Sequence, residues 1–173
     1  MNIALIGNKK QDKYYNLSNY DLIVRTNNCD SLNKTYTDKT DIWIFGGNVQ
    51  TFKDNITEDV IKYISKRCKR KLVFHPHNVQ NIIDGETEFI YSDVQKMCEF
   101  INYDNYNEKL DRITTTVNAI LQILFIYNKQ SCPIDIYCLD KDRMEKNCYH
   151  LYPQEEYKLL DFLEQNNYIK FKK

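Results

Sequence analysis

One histidine, His150, stands just ahead of an amphipathic stretch in NCYHLYPQEEYKLLDFLEQ, residues 147–165. An imidazole titrates near neutral pH, so a histidine held at the mouth of a site can take a proton from an attacking hydroxyl. The same residue at the start of a helix also has a plain reading as a structural or solvated polar group. The other two histidines, His75 and His77, flank Pro76 in FHPHN. They could hold a metal only with a third ligand, and the sequence identifies none, so they read as a polar loop.

A second group of candidate residues follows the apolar runs of the chain. NIALIG ends in Gly7 and Asn8, YDLIVRT leads through Arg25 and Thr26 to Asn27 and Asn28, and DIWIFGG ends in Gly46, Gly47 and Asn48. Thr114, Thr115 and Thr116 open a long apolar segment, and Asp140 closes IDIYCLD. These amides, hydroxyls and one arginine have the hydrogen-bonding character needed to hold a sugar, a pyrimidine edge or a phosphate. A glycine at a strand end lets a ligand approach the backbone, and the free N–H groups of a helix start favour an anion. Singly, each has a plain alternative, because asparagines populate turns and threonines cap helices.

The elements that must position these residues alternate. Short apolar runs over 2–7, 20–26, 41–47, 71–76, 88–92 and 134–140 predict buried strands, and 168–172 predicts an edge strand. Helical spacing appears over 57–69, 93–101, 114–129 and 154–167, the last with Pro153 at its start and Glu155 and Glu156 in its first turn. This order predicts an α/β fold: one Rossmann-like domain over residues 1–173, with a mostly parallel sheet covered by helices on both faces. Ligands in such sheets sit outside the carboxyl ends of the strands, where the candidate residues gather.

Composition narrows the function classes. Lys plus Arg and Asp plus Glu balance at 24 each over 173 residues, so no net field favours nucleic acid or an anionic membrane. The basic run KRCKRK at 66–71 reads as a solvated helix end. Six scattered cysteines form no CxxC pair and no zinc-spaced cluster, which predicts free thiols, a reducing cytoplasmic setting and no structural metal. No signal peptide or membrane span is expected. Four glycines leave no room for a GxGxxG dinucleotide motif or a Walker loop.

In order along the chain, three of these segments resemble the sialyltransferases of glycosyltransferase families 29 and 42. IALIGN followed by YDLIVRTNNC is similar to their first long motif, in which a strand ends in Gly-Asn and a later one carries Arg-x-Asn. ITTTVNAILQILFIYNKQSCPIDIYCLD resembles the second motif: Ser/Thr residues opening an apolar helix, then a strand of the v-x-l-y-G kind. YHLYPQEEYKLLDFLEQ resembles the final segment, and His150 with Glu155 fits a His-x(4)-Glu spacing.

The resemblance implies an inverting, metal-independent transfer of a sugar from a CMP-sugar donor to a glycan acceptor, with no other cofactor. It implies that Gly7 and Asn8 lie against the CMP moiety, that Asn27 bonds the nucleotide, and that Arg25 orders that loop. Thr114, Thr115 and Thr116 would face ribose, phosphate or the donor carboxylate, with Asp140 nearby. His150 would be the general base, and Tyr149 and Tyr152 are candidates to stabilise the leaving phosphate. The chain departs from the pattern where Lys9 and Lys10 follow Gly-Asn, where threonine replaces glycine at the long helix, and where Leu139 and Asp140 follow the late strand. These departures motivate one alternative, a nucleotide- or glycan-binding relative without turnover. A nucleotide or pterin phosphotransferase on a similar scaffold is the other.

Overall fold

The computed structural model describes residues 1–7, 15–26, 40–45, 68, 70–73, 88–89, 92–127, 133–139 and 152–172. Seven strands form one sheet: β1 (Ile3–Ile6), β2 (Leu22–Thr26), β3 (Ile42–Phe45), β4 (Arg70–Val73), β5 (Glu88–Phe89), β6 (Ile134–Tyr137) and β7 (Ile169–Phe171). Their order is β5-β4-β3-β2-β1-β6-β7, and every pairing is parallel. Three helices are described: α1 (Val94–Phe100), α2 (Thr115–Ile126) and α3 (Pro153–Gln165). A short 3-10 turn over Glu108–Arg112, which the periodicity did not predict, precedes α2. The fold is the predicted α/β, Rossmann-like arrangement.

Strand alternation divides the sheet into two buried faces. Ile3, Leu5, Val24, Ile42, Ile44, Leu72, Ile134 and Ile136 point to one face and pack with Met97, Cys98, Ile120, Leu160 and Leu163 of the three helices. Ala4, Ile6, Ile23 and Tyr137 point to the other, packed with Tyr15 and Leu17. Connection handedness explains why α1, α2 and α3 share a face. The chain steps one way from β1 to β5, then reverses to reach β6 and β7 on the far side of β1. Right-handed crossovers running in that reversed direction all fall on the same side of the sheet. The helix expected at 57–69 lies outside the described residues apart from Cys68, so the described helices cover one face.

One local finding departs from the reading of the sequence. Arg70 and Lys71, the end of KRCKRK, are not a solvated helix end: they open β4, and Lys71 is only 7% exposed. Its register partner is Trp43, itself fully buried, so the strand carries the lysine into the sheet face beside an indole. The C-terminal edge strand pairs in parallel with β6, and Asn167, with φ of 59°, makes the turn from α3 into it. Cys68, Cys98 and Cys138 are free thiols, and burial raises Cys68 to about 11 and Cys98 to about 12. Among the described residues no helix is long and apolar enough to cross a membrane.

Candidate functional site

β1 and β6 are neighbours although the chain separates them widely, so the sheet has its topological switch point between their carboxyl ends. Such a crevice is where ligands of open α/β sheets bind. The two chains come very close there. Gly7 donates its N–H to the Tyr137 carbonyl at 2.8 Å, and a Cβ on Gly7 would stand 2.7 Å from the Cys138 carbonyl oxygen. The glycine is therefore required by the approach of its own neighbouring strand. Cys138, the residue after β6, holds φ of 56°, a left-handed conformation that favours glycine.

The amino end of α2 meets this edge. Thr114 is the N-cap, extended at φ −63° and ψ 154°, and its hydroxyl accepts the Val117 N–H at 3.3 Å. Thr116 Oγ1 lies 3.1 Å from Thr26 Oγ1 at the carboxyl end of β2, and both are buried. Thr26 Oγ1 also reaches the Ile6 carbonyl at 3.5 Å, so the last residues of β1 and β2 and the first turn of α2 are linked by one hydroxyl. Thr116 uses its hydroxyl inside the protein, whereas Thr114 and Thr115 are half-buried. Arg25, one residue before Thr26, points to the opposite face of the sheet. It is fully buried, and its Nε donates to Thr40 Oγ1 at 3.0 Å.

The start of α3 is drawn to the same place by Glu156. Its side chain is only 2% exposed, and its Oε1 accepts the backbone N–H of Thr114. The other oxygen, Oε2, is buried with no hydrogen-bond partner among the described residues. Burial pushes the carboxyl up to about 7 from an ordinary 4.5, and the bonds from the Thr114 backbone and hydroxyl offset part of that rise. One acid thus serves two helices: it sits in the first turn of α3 and on the N-cap of α2, where helix dipoles favour negative charge. Beside it, Glu155 accepts from Asn107 Nδ2 at 3.2 Å, and the Lys109 ammonium stands 5.7 Å from the centre of the Tyr152 ring. On the inner side of α2, Asn118 Nδ2 donates to Ser92 Oγ at 2.6 Å.

Of the residues singled out in the sequence, the structure brings Gly7 and Thr116 to the carboxyl edge, with Thr114 beside them. Tyr152 is joined to this group because it caps the helix that carries Glu156. Arg25 is adjacent in sequence but belongs to the other sheet face. Asn8, Asn27, Asp140, Tyr149 and His150, as well as His75 and His77, lie outside the described residues. Sequence reasoning named Thr26 only as a strand-end candidate and missed two participants, Asn118 and Glu156. A signal for Glu156 was present, because 156, 159, 160 and 163 share one helical stripe and the other three positions are leucines. Among the described residues no group of three His, Cys, Asp or Glu side chains could hold a metal ion.

Comparison of the chain with protein-family models, curated proteins and solved structures gives no match. The functional reading therefore rests on the residues and their geometry.

Proposed function

We propose that this chain is a small glycosyltransferase of sialyltransferase type, transferring a sugar from a CMP-sugar donor to an acceptor hydroxyl with inversion. One observation carries the reading. The threonine-opened end of α2, the carboxyl ends of β1 and β2, and the first turn of α3 meet at the switch point through Thr26, Thr116, Thr114 and Glu156. These are the three segments in which the sequence resembles the sialyltransferase motifs, and they meet at the carboxyl edge, where open α/β sheets generally bind their ligands.

In this mechanism CMP lies across the switch point, its phosphate against the half-buried Thr114 and Thr115. His150, two residues before the cap of α3, takes the proton of the acceptor hydroxyl as that oxygen attacks the anomeric carbon. The bond from that carbon to the phosphate oxygen breaks, and CMP leaves with the electron pair. A second reading, a nucleotide-binding relative without turnover, is favoured by one feature: Glu156 already occupies the Thr114 N–H that an incoming anion would use.

Calorimetric titration with CMP in EDTA, with UMP, AMP and GMP as controls, tests the pocket. Selective CMP binding supports both readings, and no binding of a pyrimidine nucleotide overturns both. Hydrolysis or transfer of a CMP-sugar by the wild type, lost in His150→Ala with CMP affinity retained, selects the enzyme. Selective binding with no turnover selects the binding relative.

A further inference from the structure

The amino ends of the strands hold a second concentration of polar groups, across the sheet from the switch-point edge. Asn2, Asn16, Asn19, Tyr20, Pro133 and Asp135 line a cavity of about 290 Å³, just below the usual range for ligand sites. Asn2 precedes β1, Pro133 precedes β6, and residues 16–20 lead into β2, so three strand starts contribute to one notch.

Two of its polar groups are fixed and have bonding capacity to spare. Asn16 Oδ1 accepts from the Ser18 N–H at 3.0 Å and from Ser18 Oγ at 2.7 Å, which holds the amide and leaves its NH₂ as a donor. Asp135 Oδ2 accepts the Tyr20 hydroxyl and pairs with Lys172 Nζ at 2.9 Å. Its Oδ1 remains an acceptor. The Tyr20 hydroxyl also lies 2.8 Å from that of Tyr137, and burial together with the Asp135 carboxylate keeps Tyr20 protonated far above the usual phenol range.

Charge then decides the ligand class. Lys172 balances Asp135, the one charged residue of the lining, so a charged ligand gains no net counter-charge from the lining itself, and Asp21 beside it already accepts the Asn2 N–H at 2.7 Å. What remains is a preset donor, a preset acceptor and two asparagine amides, beside the apolar surfaces of Ile3 and Pro133. A sugar hydroxyl both donates and accepts, and a sugar ring presents a C–H face that suits such apolar surface. We propose that this notch binds a neutral, hydroxyl-rich small molecule of monosaccharide size, independently of the nucleotide site proposed above.

Amide-resolved NMR of the full chain, titrated with glucose, galactose and N-acetylglucosamine, tests this, with glucosamine and glucuronate as charged arms. The expected result is saturable shifts at Asn2, the Asn16 side-chain amide, Asn19 and Asp135, with millimolar affinity for at least one neutral sugar. Asn16→Ala and Asn19→Ala, both at exposed positions, should each weaken it by roughly three- to tenfold, as loss of one hydrogen bond implies. A folded spectrum for each variant keeps that comparison valid. Shifts confined to Gly7, Thr26 and Thr116, tighter binding of either charged sugar, or no saturable shift with any neutral sugar would each overturn the proposal.

Discussion

Glu156→Gln isolates one buried proton. The carboxyl sits at about 7 in the folded chain against an ordinary 4.5, because burial penalises its charged form more than the Thr114 bonds stabilise it. Below pH 4.5 folded and unfolded chains both hold the proton, and its contribution to stability is complete. As pH rises toward 7 the unfolded chain releases the proton while the folded chain keeps it, so stability falls; above 7 the loss levels off. A difference of this size corresponds to about 3 kcal/mol across that window. Glutamine has the same shape, accepts the same N–H and never ionises, so the variant lacks this slope. Urea unfolding of both proteins from pH 4.5 to 8 measures the effect, because every other ionisable group cancels in the difference. At pH 4.5 the two should agree within about 1 kcal/mol. At pH 8 the glutamine variant should be more stable by about 3 kcal/mol, a shift in midpoint of about 1 M urea or more. A difference that stays flat across this range, or that grows toward acid, would refute the reasoning.

Gly7→Ala places a Cβ 2.7 Å from the Cys138 carbonyl oxygen, and it should lower stability by about 1–3 kcal/mol as β1 and β6 are forced apart, read by thermal or urea unfolding. At Cys138, Gly should give a more stable protein than Ala by about 1 kcal/mol, because both remove the thiol and only Gly relieves the positive φ. Thr26→Val and Thr116→Val, combined in a double-mutant cycle, should show a coupling of about 1 kcal/mol, since their hydroxyls share one buried bond. A coupling of zero would mean that the first turn of α2 is held to β2 by packing alone.

The fold was legible because the first three strands are short and mostly apolar: Ile3–Ile6 and residues 23–26 of Leu22–Thr26 are buried, as a parallel sheet covered on both faces requires. Helices α1 and α2 were readable from spacing, and α3 from its Pro153 start and its leucine stripe. The site was less legible, since it depends on contacts between residues far apart in sequence. Nothing local in TTTVN says that Thr116 meets Thr26, 90 positions away. Gly7 was read for its lack of a side chain, and in the structure that lack accommodates the Cys138 carbonyl. Glu156 was read only as an acid in the first turn of a helix, although its place on the stripe of Leu159, Leu160 and Leu163 required burial. The run at Lys71 failed for the converse reason, because strand alternation overrides a charge cluster once the chain enters the sheet.

Where the chain buries polar groups is itself informative. A buried polar atom without a partner lowers stability, so a sequence free to choose would put leucine at positions 118 and 156. Both lie in the amino-terminal half of α2 or against its cap, and each keeps one acceptor, Asn118 Oδ1 and Glu156 Oε2, without a hydrogen bond among the described residues. The carboxyl-terminal half of the same helix buries Gln122 beside Ile123 and Leu124 but carries no such atom, and the other two among the described residues are the hydroxyls of Tyr15 and Tyr103. Two of the four unpartnered atoms thus lie in or against the amino-terminal half of α2. Proteins tolerate such local conflict mainly at functional sites. That pair is consistent with the proposal that the carboxyl edge of the sheet holds the site.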